Sequence, residues 1–391
     1  MDNGARPSLE SLAVLILEKI CLYLDDKSLS VLLTTNRSMK SKIEHCVIWR
    51  KKLKRLRFHW IAPDILRYSP CVRYKLAKLW TKRQYDTVTL VNSHNSGMSY
   101  VSVDYKLVLV SKGSKIEVRA GARERTVASL VCPNDVDLCR FSVTPSCVIA
   151  GNRGGHLFAW QYNPKFVAKR QHPCAINVRA HNSDVHMVDG DLRTVVSASR
   201  DRTAKLWTVL DNNFVLNYTW NSPERVWSCR LSPDRSKVAL GRSACVLWSD
   251  GRRRPISLYD TESFSAISAL HTECQKGAGV LDLKFEDPNC LLTAGYDCIL
   301  KLWDLRSGKC EWMWEEPYNS SLYCLASDSC NCVFVGTSRH SLAWILDKRY
   351  SKALRSLYFD QFTPRPVYSL AFSTRSVYAC LDGVVRKCIV G

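Results

Sequence analysis

His181, Ser197 and Asp201 are the residue types that nucleophilic hydrolysis uses. In that chemistry a carboxylate orients an imidazole, and the imidazole takes the proton of an attacking hydroxyl. The surrounding sequence does not support it. No G-x-S-x-G elbow or equivalent presents Ser197. No H-E-x-x-H, Walker-type loop or cluster of carboxylates occurs elsewhere. Gly151-Asn152-Arg153-Gly154-Gly155 sits between two strand patterns and lacks the following helix that would cradle a phosphate. Cys330 and Cys332 stand one residue apart without a second pair, and no C-x-x-C occurs, so neither a metal nor a cofactor is expected. The chain reads as non-catalytic.

What accompanies the trio is spacing. Trp207 follows Asp201 by six residues in VVSASRDRTAKLW, Val195–Trp207, and Trp303 follows Asp297 by six in LLTAGYDCILKLWD, Leu291–Asp304. Each reads as an apolar strand, a tight turn closed by Asp, and a second strand ending in Trp. Five weaker copies flank them: Met98–Val118, Val136–Trp160, Arg225–Gly241 resuming at Ile256–Asp260, Ser321–Trp344 and Val367–Cys388. The third-strand landmarks Val118, Trp160, Trp207, Tyr259, Trp303, Trp344 and Cys388 fall 41 to 52 residues apart, clustering around the period of four-stranded blades. Seven copies predict an all-β, seven-bladed propeller over 86–391. The last copy ends at its third strand near Gly391, so Asp86–Asn92 is expected to supply the missing outer strand and close the ring.

The first 85 residues follow a different period. Leu12, Leu15, Ile16, Ile20, Tyr23 and Leu24 share one helical face. Leu29, Leu32, Leu33 and Asn36 predict a second short helix, which Asp25-Asp26 would cap, and Ile43, Val47 and Ile48 predict a third. This small all-α unit, 8–53, is too short to cover its own apolar surface, so part of that surface needs a partner or the linker. A basic, largely helical linker, 54–85, follows. Between Arg50 and Arg83 twelve Lys or Arg meet a single acid, Asp64, which concentrates in one stretch over half of the formal charge of +20. In Val72–Arg83 the apolar Val72, Leu76, Leu79 and Trp80 fall on one helical side. Such a helix binds a membrane surface or RNA, or it packs as a rigid connector with its charges in water; the last reading is preferred.

Composition is that of an ordinary globular chain, with 46% hydrophobic and 24% charged residues. No apolar run is long enough to span a membrane, and Met1–Pro7 does not read as a secretion signal. The 18 cysteines are scattered along the chain, many inside strands, as expected of reduced structural thiols. These features predict an intracellular protein of cytoplasm or nucleus, with no membrane and no nucleic-acid partner.

Leu12-x7-Ile20-x2-Tyr23-Leu24, then Leu29 and Ile48-Trp49, resemble an F-box. Followed by seven WD-type copies, they make the chain similar to the F-box/WD-repeat proteins. SRDRTAKLW, Ser199–Trp207, RVWS, Arg225–Ser228, GAGVLD, Gly277–Asp282, and WEEPYNSSLYCL, Trp314–Leu325, carry that resemblance. It implies that Leu12, Ile16, Ile20, Tyr23 and Leu24, with Leu29, Ile48 and Trp49, contact a Skp-type adaptor, which joins a cullin and a RING subunit. It also implies that His181, Ser197, Asp201 and Trp207 form the structural tetrad that pins a WD turn to its blade. The chain would then be the substrate-recognition subunit of a ubiquitin ligase, delivering proteins for degradation. The alternative is a non-degradative WD-repeat scaffold, because Leu12-Ala13 replaces the usual Leu-Pro and Asn36-Arg37-Ser38 departs from the usual Cys-Arg-x-Trp-like segment.

The same resemblance places a ligand surface on the face bearing the turns between second and third strands. Arg200 and Tyr296 precede their turn Asp; His186, Trp227, Leu281, Tyr323 and Tyr368 share a first-strand register. Phosphate-reading relatives gather several arginines at such positions, and here only Arg200 matches. The aromatic character predicts a peptide pocket instead. The insertion Arg242–Arg254 would bring Arg252, Arg253 and Arg254 beside it as an accessory contact for an acidic segment.

Overall fold

Alternating apolar residues in segments of strand length build seven sheets arranged as a ring. The computed structural model describes the chain except residues 1–8, 10–11, 57–61, 63, 82–84, 93–97, 105, 122, 164–170, 212, 273–278 and 390–391. Met1–Pro7, parts of the basic linker including Lys82 and Arg83, and Gly277-Ala278 thus lie outside the described residues. The innermost strands of blades 1 to 7 are Val101–Asp104, Leu138–Val143, Val185–Gly190, Val226–Leu231, Val280–Asp287, Leu322–Ser327 and Ser369–Phe372. Each blade is antiparallel and four-stranded, and blade 1 gains a parallel edge strand, Gln171–Pro173, from the connection leaving blade 2's third strand.

The core lies between blades. Trp207 of blade 3 packs with Cys147, Ile149 and Leu157 of blade 2, and Trp303 of blade 5 with Ile256 and Leu258 of blade 4. At these two landmarks a large ring therefore bridges neighbouring sheets. Asp86–Asn92 pairs antiparallel with Val384–Ile389, so the outer strand of blade 7 comes from the other end of the propeller segment. Closure covers the ladder that Val384–Ile389 would otherwise expose.

Five helices precede the ring: α1 Val14–Leu22, α2 Asp26–Thr35, α3 Arg37–Glu44, α4 Val47–Arg55 and α5 Pro70–Thr81. No helix among the described residues is long and apolar enough to cross a membrane. Asp25 caps α2, accepting from the backbone N–H of Ser28 at 2.8 Å. Asn36 is not interior to α2 as its spacing suggested. It caps α3 by accepting from Met39 N–H. The expected third helix is two helices, because the chain turns extended at Cys46. There the Trp49 indole donates to the Ile43 carbonyl at 2.7 Å, holding the end of α3 against α4.

Leu17, Cys21, Leu29, Met39, Ile43 and Trp49 form the helical core, and Cys71 and Tyr74 at the start of α5 complete it. Asp26 ties the same elements together by accepting from Lys52 at 2.8 Å, from the Tyr74 hydroxyl at 2.9 Å and from Lys78. Burial alone would raise this carboxyl, and the three donors hold it well below the usual range. Further along α5, Trp80 sits with Ala62 in the core shared by blades 6 and 7, and Arg355 donates to the Trp80 carbonyl at 2.7 Å. One helix thus belongs to two cores. Its apolar side is covered by the protein itself, while Lys75 and Lys78 face water.

Asp64, the lone acid of the basic stretch, is buried beside α5 and accepts from both the N–H and the hydroxyl of Thr374, at 2.8 and 2.9 Å. Thr374 lies in the turn after the first strand of blade 7. Replacing Asp64 by Ala leaves a buried donor unmet, at a cost of about 1–3 kcal/mol. Asp64→Ala is expected to lower the melting temperature and speed proteolysis between α4 and α5 without changing far-ultraviolet circular dichroism.

Candidate functional site

Strand alternation brings one side chain from several innermost strands to the mouth of the central channel. His186, Trp227, Leu281, Tyr323 and Tyr368 come from five such strands or their entries, and Tyr296 from the turn after the second strand of blade 5. They line a cup of about 270 Å³. The rings are in contact: His186 and Trp227 centroids lie 4.5 Å apart, and Tyr323 stacks on Tyr368 at 5.8 Å. Tyr296 meets Tyr323 edge-on at 6.2 Å. Burial pushes the His186 imidazole down to about 4, opposed by Asp184 and aided by Arg140, Arg200 and Arg153. It is neutral at physiological pH.

The floor of the cup is a residue that sequence reasoning missed. Arg140 rises from blade 2, crosses the channel, forms an ion pair with Asp282 of blade 5 at 2.8 Å and donates to the Tyr323 carbonyl of blade 6 at 3.0 Å. Its guanidinium also lies over the Tyr100 ring at 5.8 Å. Desolvation disfavours its charge, and Asp282 more than restores it, so Arg140 stays protonated. Met98, Ser99, Tyr100 and Cys139 complete the lining. The available signal was the run of charges inside otherwise apolar innermost strands: Arg140, Asp189, Arg230 and Asp282.

Three predicted contacts do not reach the cup. Arg200 is exposed and leans toward Asp184 at 3.9 Å. In the insertion, Arg253 donates to the carbonyls of Ala244 and Cys245 at 2.8 and 2.6 Å, so its guanidinium is used within the loop. Arg254 pairs with Asp250 and lies over the Trp248 ring. Only Arg252 of the three is exposed. The loop carbonyls and Asp250 are nearer than any ligand could be, which is why this basic cluster does not project as charge beside the cup.

His181, Ser197, Asp201 and Trp207 lie together in blade 3. The Trp207 indole donates to Ser197 Oγ at 2.9 Å; His181 Nε2 lies 2.7 Å from that oxygen, and its Nδ1 lies 3.1 Å from Asp201. The arrangement has the order of a hydrolytic triad, but Ser197 has no exposed surface and its oxygen is occupied by the indole. Burial would raise the Asp201 carboxyl; hydrogen bonds from His181, Thr203 and the Asn182 N–H hold it far below the usual range. The second clear repeat keeps only part of this network, with Trp303 donating to Thr293 at 3.0 Å and Lys301 pairing with Asp297.

On the helical unit, the predicted adaptor contacts divide. Ile16, Ile20 and Tyr23 are exposed, Tyr23 by 90%, and Leu15 beside them by 74%. Leu12 and Leu24 are half-buried at the edge of the helical core. Leu29, Ile48 and Trp49, expected at the adaptor contact, lie in the helical core. They are buried, because a four-helix unit this small must spend its largest side chains on its own core. The described cysteines are free thiols, and burial pushes Cys71 up to about 11 and Cys132 up to about 12.

A family model described as "WD domain, G-beta repeat" matches residues 173–208 and 268–304, the two clear repeats. The chain is similar to F-box/WD repeat-containing protein 4 of Mus musculus, 29% identical over 377 residues that cover 93% of this chain and 88% of the relative. The Homo sapiens protein of the same name is 28% identical over 393 residues, 97% of this chain and 92% of the relative. The resemblance read from the residues is thereby shown across nearly the whole length. Among solved structures, the WD40 beta propeller domain of Doa1 superposes with a TM-score of 0.60 at 16% identity, covering 78% of this chain and 96% of that one. That likeness bears on the fold, a seven-bladed propeller of the WD40 kind.

If the Ser197 cluster is structural, a fluorophosphonate serine-hydrolase probe leaves Ser197 unlabelled. Ser197→Ala orphans the His181 and Trp207 nitrogens and is expected to lower stability by about 1–3 kcal/mol, read as a shifted urea midpoint.

Proposed function

We propose that this chain is the substrate-recognition subunit of a cullin–RING ubiquitin ligase. In this reading α1 docks on a Skp-type adaptor, and the propeller holds a protein substrate on its cup-bearing face. The observation that carries it is the outer side of α1 and its C-cap, where Leu15, Ile16, Ile20 and Tyr23 stand exposed beside Val14 and Leu22, while the unit's core is already filled by Leu17, Leu29, Met39, Ile43 and Trp49. A contiguous apolar face on so small a unit calls for a partner. The relatives' names, F-box/WD repeat-containing proteins, suggest the class of that partner. The chain's contribution is positioning. Holding substrate and ligase on one body raises the effective concentration of substrate lysines near the loaded enzyme. It needs no catalytic residue, metal or cofactor of its own, and it acts inside the cell, in cytoplasm or nucleus, with its thiols reduced.

The division into 8–53, 54–85 and 86–391 follows from the same reading: adaptor contact, spacer and substrate holder. The spacer acts as part of both neighbours, because α5 contributes Tyr74 to the helical core and Trp80 to that of blades 6 and 7.

Co-expression with a Skp-type adaptor, followed by size-exclusion chromatography, tests this. Wild type is expected to co-elute with the adaptor, and Ile16→Asp/Tyr23→Asp to elute alone at an unchanged melting temperature. Both residues are exposed, so their loss leaves the helical core intact, which a change at Leu29 or Trp49 would not. Wild type eluting alone contradicts the receptor reading and leaves an interaction scaffold.

A further inference from the structure

Two residues lining the cup carry buried ring nitrogens with no hydrogen-bond partner among the described residues: Nε2 of His186 and Nε1 of Trp227. An indole N–H only donates. The His186 ring is neutral, and in its Nδ1–H form it presents a lone pair at Nε2. The two rings are in contact, their centroids 4.5 Å apart, and both line the cup. Around them the wall is tyrosine and leucine, and the floor is closed by Arg140, so a side chain enters from one face and ends there.

Those properties select among side chains. Leu or Phe fills the space and leaves both nitrogens unmet, which is costly for buried polar groups. Lys and Arg bring only donors, and they enter a site where Arg140, Arg153 and Arg200 already act on His186. Asp and Glu accept but cannot donate, and they cover little of the aromatic wall. Ser and Thr are too small for about 270 Å³. A phenol has a flat apolar body and a hydroxyl that accepts once and donates once. On the loops of the same face Arg153, Arg225 and Arg339 are exposed, from blades 2, 4 and 6, with no carboxylate pairing them among the described residues.

We infer that the cup receives a tyrosine side chain of the protein substrate, its hydroxyl accepting from Trp227 Nε1 and donating to His186 Nε2, with acidic residues on either side of that tyrosine meeting Arg153, Arg225 and Arg339. This rests on the receptor reading for the occupant being a protein. A site built to hydrogen-bond a hydroxyl rejects the analogue that lacks it far more strongly than a hydrophobic slot rejects a missing methylene.

The test uses the full chain and immobilised degenerate peptide pools with one fixed central residue: Tyr, Phe, phosphotyrosine, Glu or Lys. The flanking positions are drawn from an acid-rich mixture, or from a lysine-rich mixture as control. The Tyr pool is expected to bind at least tenfold tighter than the Phe, phosphotyrosine, Glu and Lys pools, and to weaken with lysine-rich flanks. Trp227→Phe keeps the ring and removes the N–H, so it should bring the Tyr-to-Phe ratio near one at an unchanged melting temperature. Equal binding of the Phe pool, tighter binding of the phosphotyrosine or Glu pool, binding by no pool, or a Tyr-to-Phe ratio that survives Trp227→Phe overturns the inference. Adaptor co-elution is read separately, so a cup that fails this test leaves the docking role of α1 standing, and the reverse also holds.

Discussion

Two arginines and two aspartates meet in the middle of the ring, and the shape of the binding face depends on how their charges are met. Arg140 of blade 2 bonds Asp282 of blade 5, and Arg230 of blade 4 bonds Asp189 of blade 3 at 3.3 Å. Backbone groups take the remaining valences: Asp282 accepts from Leu325 N–H, Asp189 from Leu231 N–H, and Arg230 donates to the Leu283 carbonyl. Charges this deep persist only when paired and hydrogen-bonded on every side. The result links five blades across the axis and closes the channel beneath the aromatic rings.

The second constraint is the shared helix. Antiparallel strands alternate direction, so the turn carrying Thr374 lies on the face opposite the cup, and Asp64 anchors the helical unit there. With Tyr74 in one core and Trp80 in the other, α5 cannot pivot without opening both. The anchor of the helical unit and the cup therefore lie on opposite faces of the ring. That geometry suits a protein whose contribution is to hold two others at a set span.

Much of this was legible in the residues. Asp-to-Trp spacing revealed blades 3 and 5, where a turn acid and a bridging ring recur together, and the repeat period extended the ring to the others. The aromatic cup was legible because a first-strand register repeats from blade to blade. Charge was the poorer guide. Arg253 and Arg254 looked available, yet they are held within their own loop by Ala244, Cys245 and Asp250. Arg140 drew no notice, although it forms the floor, because its partner lies 142 positions away and only closure of the ring brings it near. Helical periodicity likewise found an apolar face of α1, but spacing does not tell which apolar face is covered. Leu17 and Cys21 turn inward, and Ile16, Ile20 and Tyr23 turn outward.

The account stands or falls on the fixed span between adaptor face and cup. Pulsed dipolar spectroscopy between spin labels introduced as unnatural amino acids at Lys40, on α3, and Arg202, beside the blade 3 turn, measures it directly. Both residues are exposed. One narrow distance distribution, unchanged when the adaptor is bound, is the predicted result. A broad or multiple distribution in the free chain would show that the helices swing on a tether, and would contradict a receptor that works by holding its partners at a set distance.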